Sequence, residues 1–589
     1  MWNFYFKLTF LLLVKKSWSN SNPPIKYFSL EQTWFTFSLV CKELYRFEKL
    51  LDIGYKRTYD IQAEKNLPEE LTDKLFKLIK IRSPSTLAYL IPRLILIIFK
   101  IKPKGKKMKK IINYIVRFLG MDIKAFKPKL VYVSKSALKY SRTHQIVSGI
   151  KKLNPKAEII YIRTNTPPKP NLQGKALYKY LKETVVICKR CSRYMEVFRS
   201  PGNISENIGI MGKLFFHCPL QCSFCYLDIA APRLFPWRRV YVDLENFYYQ
   251  AVSERIVYKM ALTFWSAISF HLKSPLNKVP KHFVEICDES IRKNVIRKRK
   301  GISNDKEAIR FLKRNIRDLF GQLGIRLTRN DEAQLKRDIP NYYTKNSHYP
   351  LSINIGEYTD VIALDPITNI MDELMQLVHK DPEFRIRFRT KAANIHNLLK
   401  YDGKNQVKVT FGLNTEYVIN KNEKGTAPLS ERIAAINALV QRGGYEIDLA
   451  IEPIIKYKDY ESDYRKLIEK IKQEINLSKI GSIKVGTVRY KTNQKKYIKN
   501  THPNSGLITR NQQLIAPLPG DKRWRYSKDE RLKIYRIIQD ELKSVTSVKL
   551  GLGSENPELW DELGLDKTDI HSGVVYQYTP EENDNNDNA

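Results

Sequence analysis

From residue 121 onward, short β-branched runs alternate with longer amphipathic stretches. The runs predict strands at Leu130–Val133, Glu158–Ile162, Val185–Ile187, Gly212–Phe216, Leu351–Ile355, Phe384–Phe388, Val407–Leu413, Glu446–Ile451 and Ser482–Val488. The stretches between them, such as Leu429–Arg442 and Asp459–Ile475, predict helices. Strands alternating with helices imply an α/β fold with a mostly parallel sheet. So many units would close as a full or partial (β/α) barrel of the TIM type. On this reading 121–210 is an N-terminal α/β segment and 211–545 is the barrel.

Residues 251–345 break the rhythm. They read as helices with few strand signals, an insertion within the barrel. Between His271 and Pro350 there are 19 Lys and Arg against 9 Asp and Glu, densest at Arg292–Lys300. Such a surface suits phosphate contacts or a solvated helix face. Residues 1–120 carry apolar bursts and the basic knot Lys102–Lys110 but no motif. They read as an extra N-terminal region, either a mis-assigned start (Met108 and Met121 are alternatives) or a membrane-peripheral extension. Met1–Val14 lacks the basic lead and small-residue cleavage site of a signal peptide. The apolar run Leu87–Phe99 is short for a span and holds Pro92 and Arg93, so a membrane partner is not expected. Residues 546–589 form a C-terminal segment ending in the acidic, disordered-type tail Glu581–Ala589.

Composition sharpens the picture. A hydrophobic fraction of 43% and an aromatic fraction of 11% permit a real core and exclude a disordered polymer. The formal net charge of +41 favours a polyanionic partner, nucleic acid above all. Seven cysteines, odd in number and clustered, argue against a secreted disulfide framework. They point to metal ligation in a reducing compartment, hence a cytoplasmic location.

The sharpest chemical signal is His217-Cys218-Pro219-Leu220-Gln221-Cys222-Ser223-Phe224-Cys225-Tyr226. Three cysteines at i, i+4 and i+7 share one loop just after a strand-like run. Thiolates are soft ligands for iron–sulfur clusters or zinc. Three of them leave one metal position open, as catalytic sites require. A zinc site completed by Cys188, Cys191 or His217 is the alternative. The pair Cys188 and Cys191 alone is a weak signal, with no second pair at zinc spacing.

This Cys-x-x-x-Cys-x-x-Cys-aromatic loop resembles the cluster loop of the radical S-adenosylmethionine (radical SAM) superfamily. Further ordered blocks resemble its spore photoproduct lyase family. They are Lys129–Val133, Cys225-Tyr226-Leu227, Arg239–Val242, Gly356–Asp365, Arg387–Lys391, Phe411–Asn414 and Gly425–Ile433. The likeness covers most of 121–545 apart from the insertion. It implies a radical SAM barrel and a [4Fe–4S] cluster on Cys218, Cys222 and Cys225. It also implies reductive cleavage of S-adenosylmethionine to a 5′-deoxyadenosyl radical, a lyase activity on thymine dimers in DNA, and a reductant such as flavodoxin or ferredoxin.

The resemblance also assigns roles. Tyr226 and Glu357 stand at catalytic and cofactor-binding positions, and Lys391 and Asn414 at cofactor-binding ones. From their places after strand-like runs, Glu357 would accept a hydrogen bond from the methionyl ammonium or face solvent, whereas Lys391 would pair with the methionyl carboxylate and Asn414 bond the ribose hydroxyls, or both would make structural hydrogen bonds. Asp360 and Asp365 are expected to cap the turn or helix after them. The chain departs from the pattern at three places. Glu357 replaces the hydrogen-donor cysteine, Phe224 a tyrosine, and Gly412 a serine. These changes implicate another substrate for the same cofactor machinery. A third reading is a non-catalytic, basic nucleic-acid-binding protein with a structural metal. The segment Pro519–Tyr526 mixes cations with aromatics and would suit unstacked bases or a packed surface hairpin.

Overall fold

In a computed structural model the chain is described over residues 126–198, 209–227, 237–272, 291–292, 302, 304–345, 351–508, 514–515, 523–545, 547–553, 555 and 557–565. The N-terminal region, Cys41, Cys287, the basic run 293–300 and the acidic tail lie outside them.

Two sheets organise these residues. The first has the order β2-β1-β3-β8-β6. Its strands are β1 (Leu130–Ser134), β2 (Glu158–Ile162), β3 (Thr184–Cys188), β8 (Arg238–Tyr241) and β6 (Phe215–Phe216), parallel except for β6. The second has the order β17-β14-β13-β11-β10-β9-β5-β4. Its strands are β4 (Met195–Phe198), β5 (Gly209–Gly212), β9 (Ser352–Asn354), β10 (Arg385–Thr390), β11 (Val407–Leu413), β13 (Tyr445–Ile454), β14 (Ile480–Thr487) and β17 (Lys549–Leu552). All neighbours run parallel except β4 and β5. Among the described residues no strand joins edge β4 to edge β17. The fold is mixed α/β with an open parallel sheet, without the closure of a full barrel. Strand β17 lies past residue 545, where the barrel was expected to end.

The predicted strand Gly212–Phe216 divides in two. Only its first residue, Gly212, belongs to β5, which pairs with β9 in the eight-stranded sheet through Ile210 and Met211, while Phe215 and Phe216 pair with β8 in the other. A single Lys213 between apolar neighbours does not mark that crossing.

Period-two alternation gives the larger sheet two unlike faces. Ile386 and Phe388, Val407, Val409, Phe411 and Leu413, Ile447, Leu449 and Ile451, and Ile483 and Val485 are buried in one core. The helices α6 (Val361–Thr368), α8 (Leu429–Arg442) and α10 (Lys528–Leu542) pack against these strands. The intervening positions include Arg387, Arg389, Lys408, Asp448, Glu452 and Lys484. That face is polar and charged, unlike the apolar packed interior of an ordinary TIM barrel. Lys408 and Asp448 pair across β11 and β13 at 2.9 Å.

Three helices build a second core. They are α3 (Leu244–His271), α4 (Asp305–Gln322) and α5 (Arg329–Lys345). Residues of α3 serve both cores: Phe247, Ala251, Tyr258 and Leu262 join the main one, and Met260, Ala261, Phe264 and Ile268 the second. A helix buried on two sides must be apolar nearly all round, and α3 is. Among the described residues no helix is long and apolar enough to cross a membrane. The remaining labels are α1 (Ser141–Leu153), α2 (Gly174–Lys182), α7 (Ile370–Lys380) and α9 (Tyr460–Glu474).

Candidate active site

The cysteine loop leaves β6 through His217, whose φ of 65° is unfavourable for a residue with a Cβ. Thr359 helps hold it there, its Oγ1 donating to the His217 carbonyl at 3.2 Å. Strand β7 (Gln221–Cys222) then pairs antiparallel with β12 (Glu423–Lys424), setting Cys222 opposite Glu423. The Ser223 N–H donates to the Asn422 carbonyl at 2.8 Å, and its hydroxyl to Asn422 Oδ1 at 2.7 Å. A turn closed by the Cys225 N–H on the Cys222 carbonyl, at 3.1 Å, brings the third thiol back toward the second. Gln494 fixes the Phe224 carbonyl at 2.8 Å.

Two buried cations grip the loop from below. Lys182 is 1% exposed; its ammonium donates to the carbonyls of Cys218 at 3.0 Å and Leu220 at 2.7 Å. Arg238 donates from Nε to the Cys218 carbonyl at 2.9 Å and from its guanidinium to that of Leu181. Charge-assisted bonds to backbone carbonyls fix a loop more firmly than neutral ones. No local pattern marked either residue, because their partners lie tens of positions away.

All three loop cysteines are free thiols, Cys218 and Cys222 buried and Cys225 half-buried. Burial pushes the Cys218 thiol well up and that of Cys222 to about 12. Thiolates here need a positive partner, and an iron–sulfur cluster is one. The donor set (three soft thiols on one loop) fits such a cluster. Among the described residues no group of three or more His, Cys, Asp and Glu side chains forms a single-ion site. Cys188 and Cys191 are also free; burial raises the Cys188 thiol to about 12, while Cys191 is exposed and accepts from Asn165 Nδ2 at 2.9 Å.

Residues at the carboxyl ends of the parallel strands converge on the loop. Tyr226, 46% exposed, donates its hydroxyl to Glu357 Oε1 at 2.8 Å. Glu357 follows β9 and its other oxygen accepts from Asn354 Nδ2 at 3.2 Å. Lys391 follows β10. Its ammonium lies 4.6 Å from the centre of the Phe224 ring, donates to the Glu452 carbonyl at 3.2 Å and pairs with Glu423. Two of its three donors are thus engaged and one remains. Gly412 makes the route possible, because a Cβ there would sit 2.9 Å from Lys391 Cγ.

Glu423 is a node that sequence reasoning missed. It is fully buried and bridges Lys391 to Arg432, also fully buried, with Oε2 accepting from Arg432 at 2.7 Å. Burial alone would raise its carboxyl; Lys391 and Arg432 outweigh that and hold it below the usual range. Arg432 donates further to the carbonyls of Ala427 at 2.8 Å and Gly412 at 2.7 Å. It thereby ties α8 to the end of β11.

Asn414 stands one step away. Its amide donates to the Pro453 carbonyl at 2.8 Å and its oxygen accepts from Tyr464 at 2.8 Å and from the Thr415 N–H at 2.9 Å. Its amide groups therefore serve the framework. Asp360 caps α6 through the Ala363 N–H at 3.0 Å and also receives the Lys391 N–H at 2.7 Å. Asp365 accepts the Met371 N–H of α7 at 2.8 Å. Of the basic-aromatic segment, residues 519–522 lie outside the described residues. Arg523–Arg525 is strand β16, paired with β15 (Arg489–Lys491). Tyr526 is fully buried, and Arg525 is buried against Glu555, so both pack the hairpin instead of meeting bases. Trp524 is half-buried, with the Lys495 ammonium 3.6 Å from its ring centre.

Fold and site together define an α/β protein whose thiol-bearing loop meets the carboxyl ends of a parallel sheet. The family model described as spore photoproduct lyase matches residues 341–548. The spore photoproduct lyase of Bacillus subtilis (strain 168) is 31% identical over 115 residues, 19% of this chain and 33% of that protein. That of Clostridium acetobutylicum is 26% identical over 150 residues, 25% of this chain and 44% of that protein. The chain thus matches between a third and under a half of the length of these curated relatives. Among solved structures, a spore photoproduct lyase mutant with dinucleoside spore photoproduct aligns at 17% identity and a TM-score of 0.49, over 73% of this chain and 98% of that one. A double mutant with bound AdoMet and the same dinucleoside aligns at 17% and 0.48, over 72% and 98%. By these matches the chain is similar to spore photoproduct lyases over part of its length.

Proposed function

We propose that the chain is a radical SAM enzyme of the lyase class acting on a nucleic-acid base lesion. The open, one-sidedly polar sheet is read here as a partial barrel with its substrate face uncovered. The observation that carries the proposal is the loop of Cys218, Cys222 and Cys225, pinned by Lys182 and Arg238 and met from the strand ends by Glu357, at Tyr226, and Lys391, at Phe224. When bound there, a [4Fe–4S] cluster with S-adenosylmethionine supplies a 5′-deoxyadenosyl radical.

The chain's own residues have separable roles. The three thiols hold the cluster, and the buried cations keep their loop in place. The third donor of Lys391 is available to a carboxylate at the mouth, and Glu357 can accept from an ammonium once Tyr226 yields its hydrogen bond. Asn414 positions the strand end. Tyr226 is the exposed phenol of the site and the residue able to give a hydrogen atom at its hydroxyl. A cytoplasmic reductant of the flavodoxin or ferredoxin kind would supply the electron, and DNA is the expected partner.

Relatives named spore photoproduct lyase motivate the substrate class. One observation favours a different lesion: where that family carries its donor cysteine, Glu357 holds a carboxylate bonded to Tyr226 and Asn354. A carboxylate cannot return a hydrogen atom as a thiol does. The test is incubation of the reconstituted protein with irradiated spore-type DNA, S-adenosylmethionine and reductant. Release of thymine supports photoproduct repair, and 5′-deoxyadenosine without thymine supports another substrate. Neither product refutes the enzyme reading, and DNA binding that persists in Cys222→Ala then leaves a binding protein.

A further inference from the structure

Helix α4 carries an unmatched file of cations on its outer face. Its sequence places Lys306, Arg310, Lys313 and Arg317 at i, i+4, i+7 and i+11, with Arg314 beside them. At 3.6 residues per turn these fall within one narrow arc. The opposite face, Ala308, Leu312, Ile316, Leu319 and Phe320, is buried in the second core. Lys306, Arg310, Arg314 and Arg317 are exposed and Lys313 is half-buried. Only Arg317 meets a carboxylate, Glu332 of α5. Among the described residues Lys306, Arg310, Lys313 and Arg314 have no ion-pair partner.

Two other exposed helices of this lysine-rich chain are arranged differently. On α9, Lys466, Lys470 and Lys472 are matched by Asp463, Glu474 and Glu469. On α10, Lys528 and Lys533 meet Glu562 and Glu461, and Lys543 just past its end meets Asp540. On these two helices most exposed cations are neutralised. On α4 the chain stacks like charges three and four residues apart, which weakens a helix. From Lys306 to Arg317 the axis rises about 16.5 Å, one cation per about 4 Å. A strand of B-DNA carries one phosphate per about 3.4 Å of axis.

We propose that the α4 face is a nucleic-acid backbone site, separate from the cysteine loop, that holds the polymer while the loop site works on one base. It rests on the nucleic-acid reading above and adds the place where the phosphates bind. Phosphate contacts position a duplex without reading its sequence, so the affinity gained here is sequence-independent.

The test uses the full chain and a fluorescent duplex DNA of mixed sequence. The variant Lys306→Gln, Arg310→Gln, Lys313→Gln, Arg314→Gln keeps helix-forming side chains and should fold with unchanged circular dichroism. Its affinity at 100 mM salt should fall about tenfold or more, and its log K against log[salt] slope should shrink by about 3.6, four lost phosphate contacts at 0.9 each. The conservative Arg310→Lys, Arg314→Lys variant should bind like the wild type. A wild type that binds DNA and a quadruple variant that binds it within twofold at the same slope overturn the proposal and leave the enzyme reading standing. A wild type with no DNA affinity sinks the nucleic-acid substrate class and this site together, whereas the enzyme reading is judged separately by 5′-deoxyadenosine. Loss of binding to phosphatidylserine vesicles with DNA affinity unchanged assigns the face to a membrane and also overturns it.

Discussion

Replacing Glu423 with Gln removes the anion from a buried three-charge network while keeping its shape. Arg432 is then left fully buried without its ion-pair partner, and Lys391 loses its only carboxylate among the described residues. Removing one partner of a buried pair destabilises by about 3–5 kcal/mol, because the remaining charge stays desolvated. Lys391 is partly exposed, so most of that loss comes from Arg432. The assay is urea unfolding at pH 7 followed by tryptophan fluorescence. Adding Arg432→Met to Glu423→Gln should recover at least about 1 kcal/mol, since an uncharged pair leaves no stranded ion. The folded carboxyl is held below its usual value, so its contribution is present above the unfolded carboxylate pKa of about 4.3 and lost as pH falls through the lower folded value. The gap between wild type and variant should therefore close under acid. Because β12 carries Glu423 opposite Cys222, the variant should also lose iron faster from the reconstituted protein. A stability change under about 1 kcal/mol at pH 7 would refute the reasoning.

Three further predictions follow from named contacts. Lys182→Met removes two charge-assisted hydrogen bonds to the cysteine loop and should cost about 3–5 kcal/mol, with Lys182→Arg intermediate; urea unfolding and iron retention check it. Burial raises the Asp365 carboxyl from 3.8 to about 7, so the folded protein keeps a proton that the unfolded chain has lost. Relative to Asp365→Asn, the wild type should lose roughly 2–3 kcal/mol as pH rises from 5 to 7, measured by unfolding at each pH; a parallel pair of curves contradicts it. Glu357→Cys returns a thiol to the position beside Tyr226 and should raise thymine release from irradiated DNA above that of the wild type, read by chromatography; no gain argues that the substrate itself has changed.

Sequence reached the framework further than the site. Strands such as Val407–Leu413 announce themselves by strict alternation, and the structure returns that one with the same ends. The crossing at Lys213 and Leu214 was hidden because both flanking strands are apolar, so nothing distinguishes a change of sheet from a continuous run. The cysteine loop was legible from spacing alone, since three ligands within eight residues are a local pattern. The network of Lys182, Arg238, Glu423 and Arg432 was not, because charged residues in a lysine-rich chain read as solvated surface until the fold buries them. Lys391 shows the same limit: its place at a strand end was legible, whereas Glu423, 32 positions on, was not. The aromatic-basic segment shows the converse, with Tyr526 and Arg525 given to packing that composition could not separate from base stacking.

The central claim is that Cys218, Cys222 and Cys225 hold a redox-active cluster. Anaerobic reconstitution with iron and sulfide, followed by reductant and S-adenosylmethionine, tests it most directly. The account predicts about four irons per chain and formation of 5′-deoxyadenosine, both lost in Cys218→Ala. Stoichiometric zinc in place of iron, or 5′-deoxyadenosine no higher than in Cys218→Ala, contradicts it.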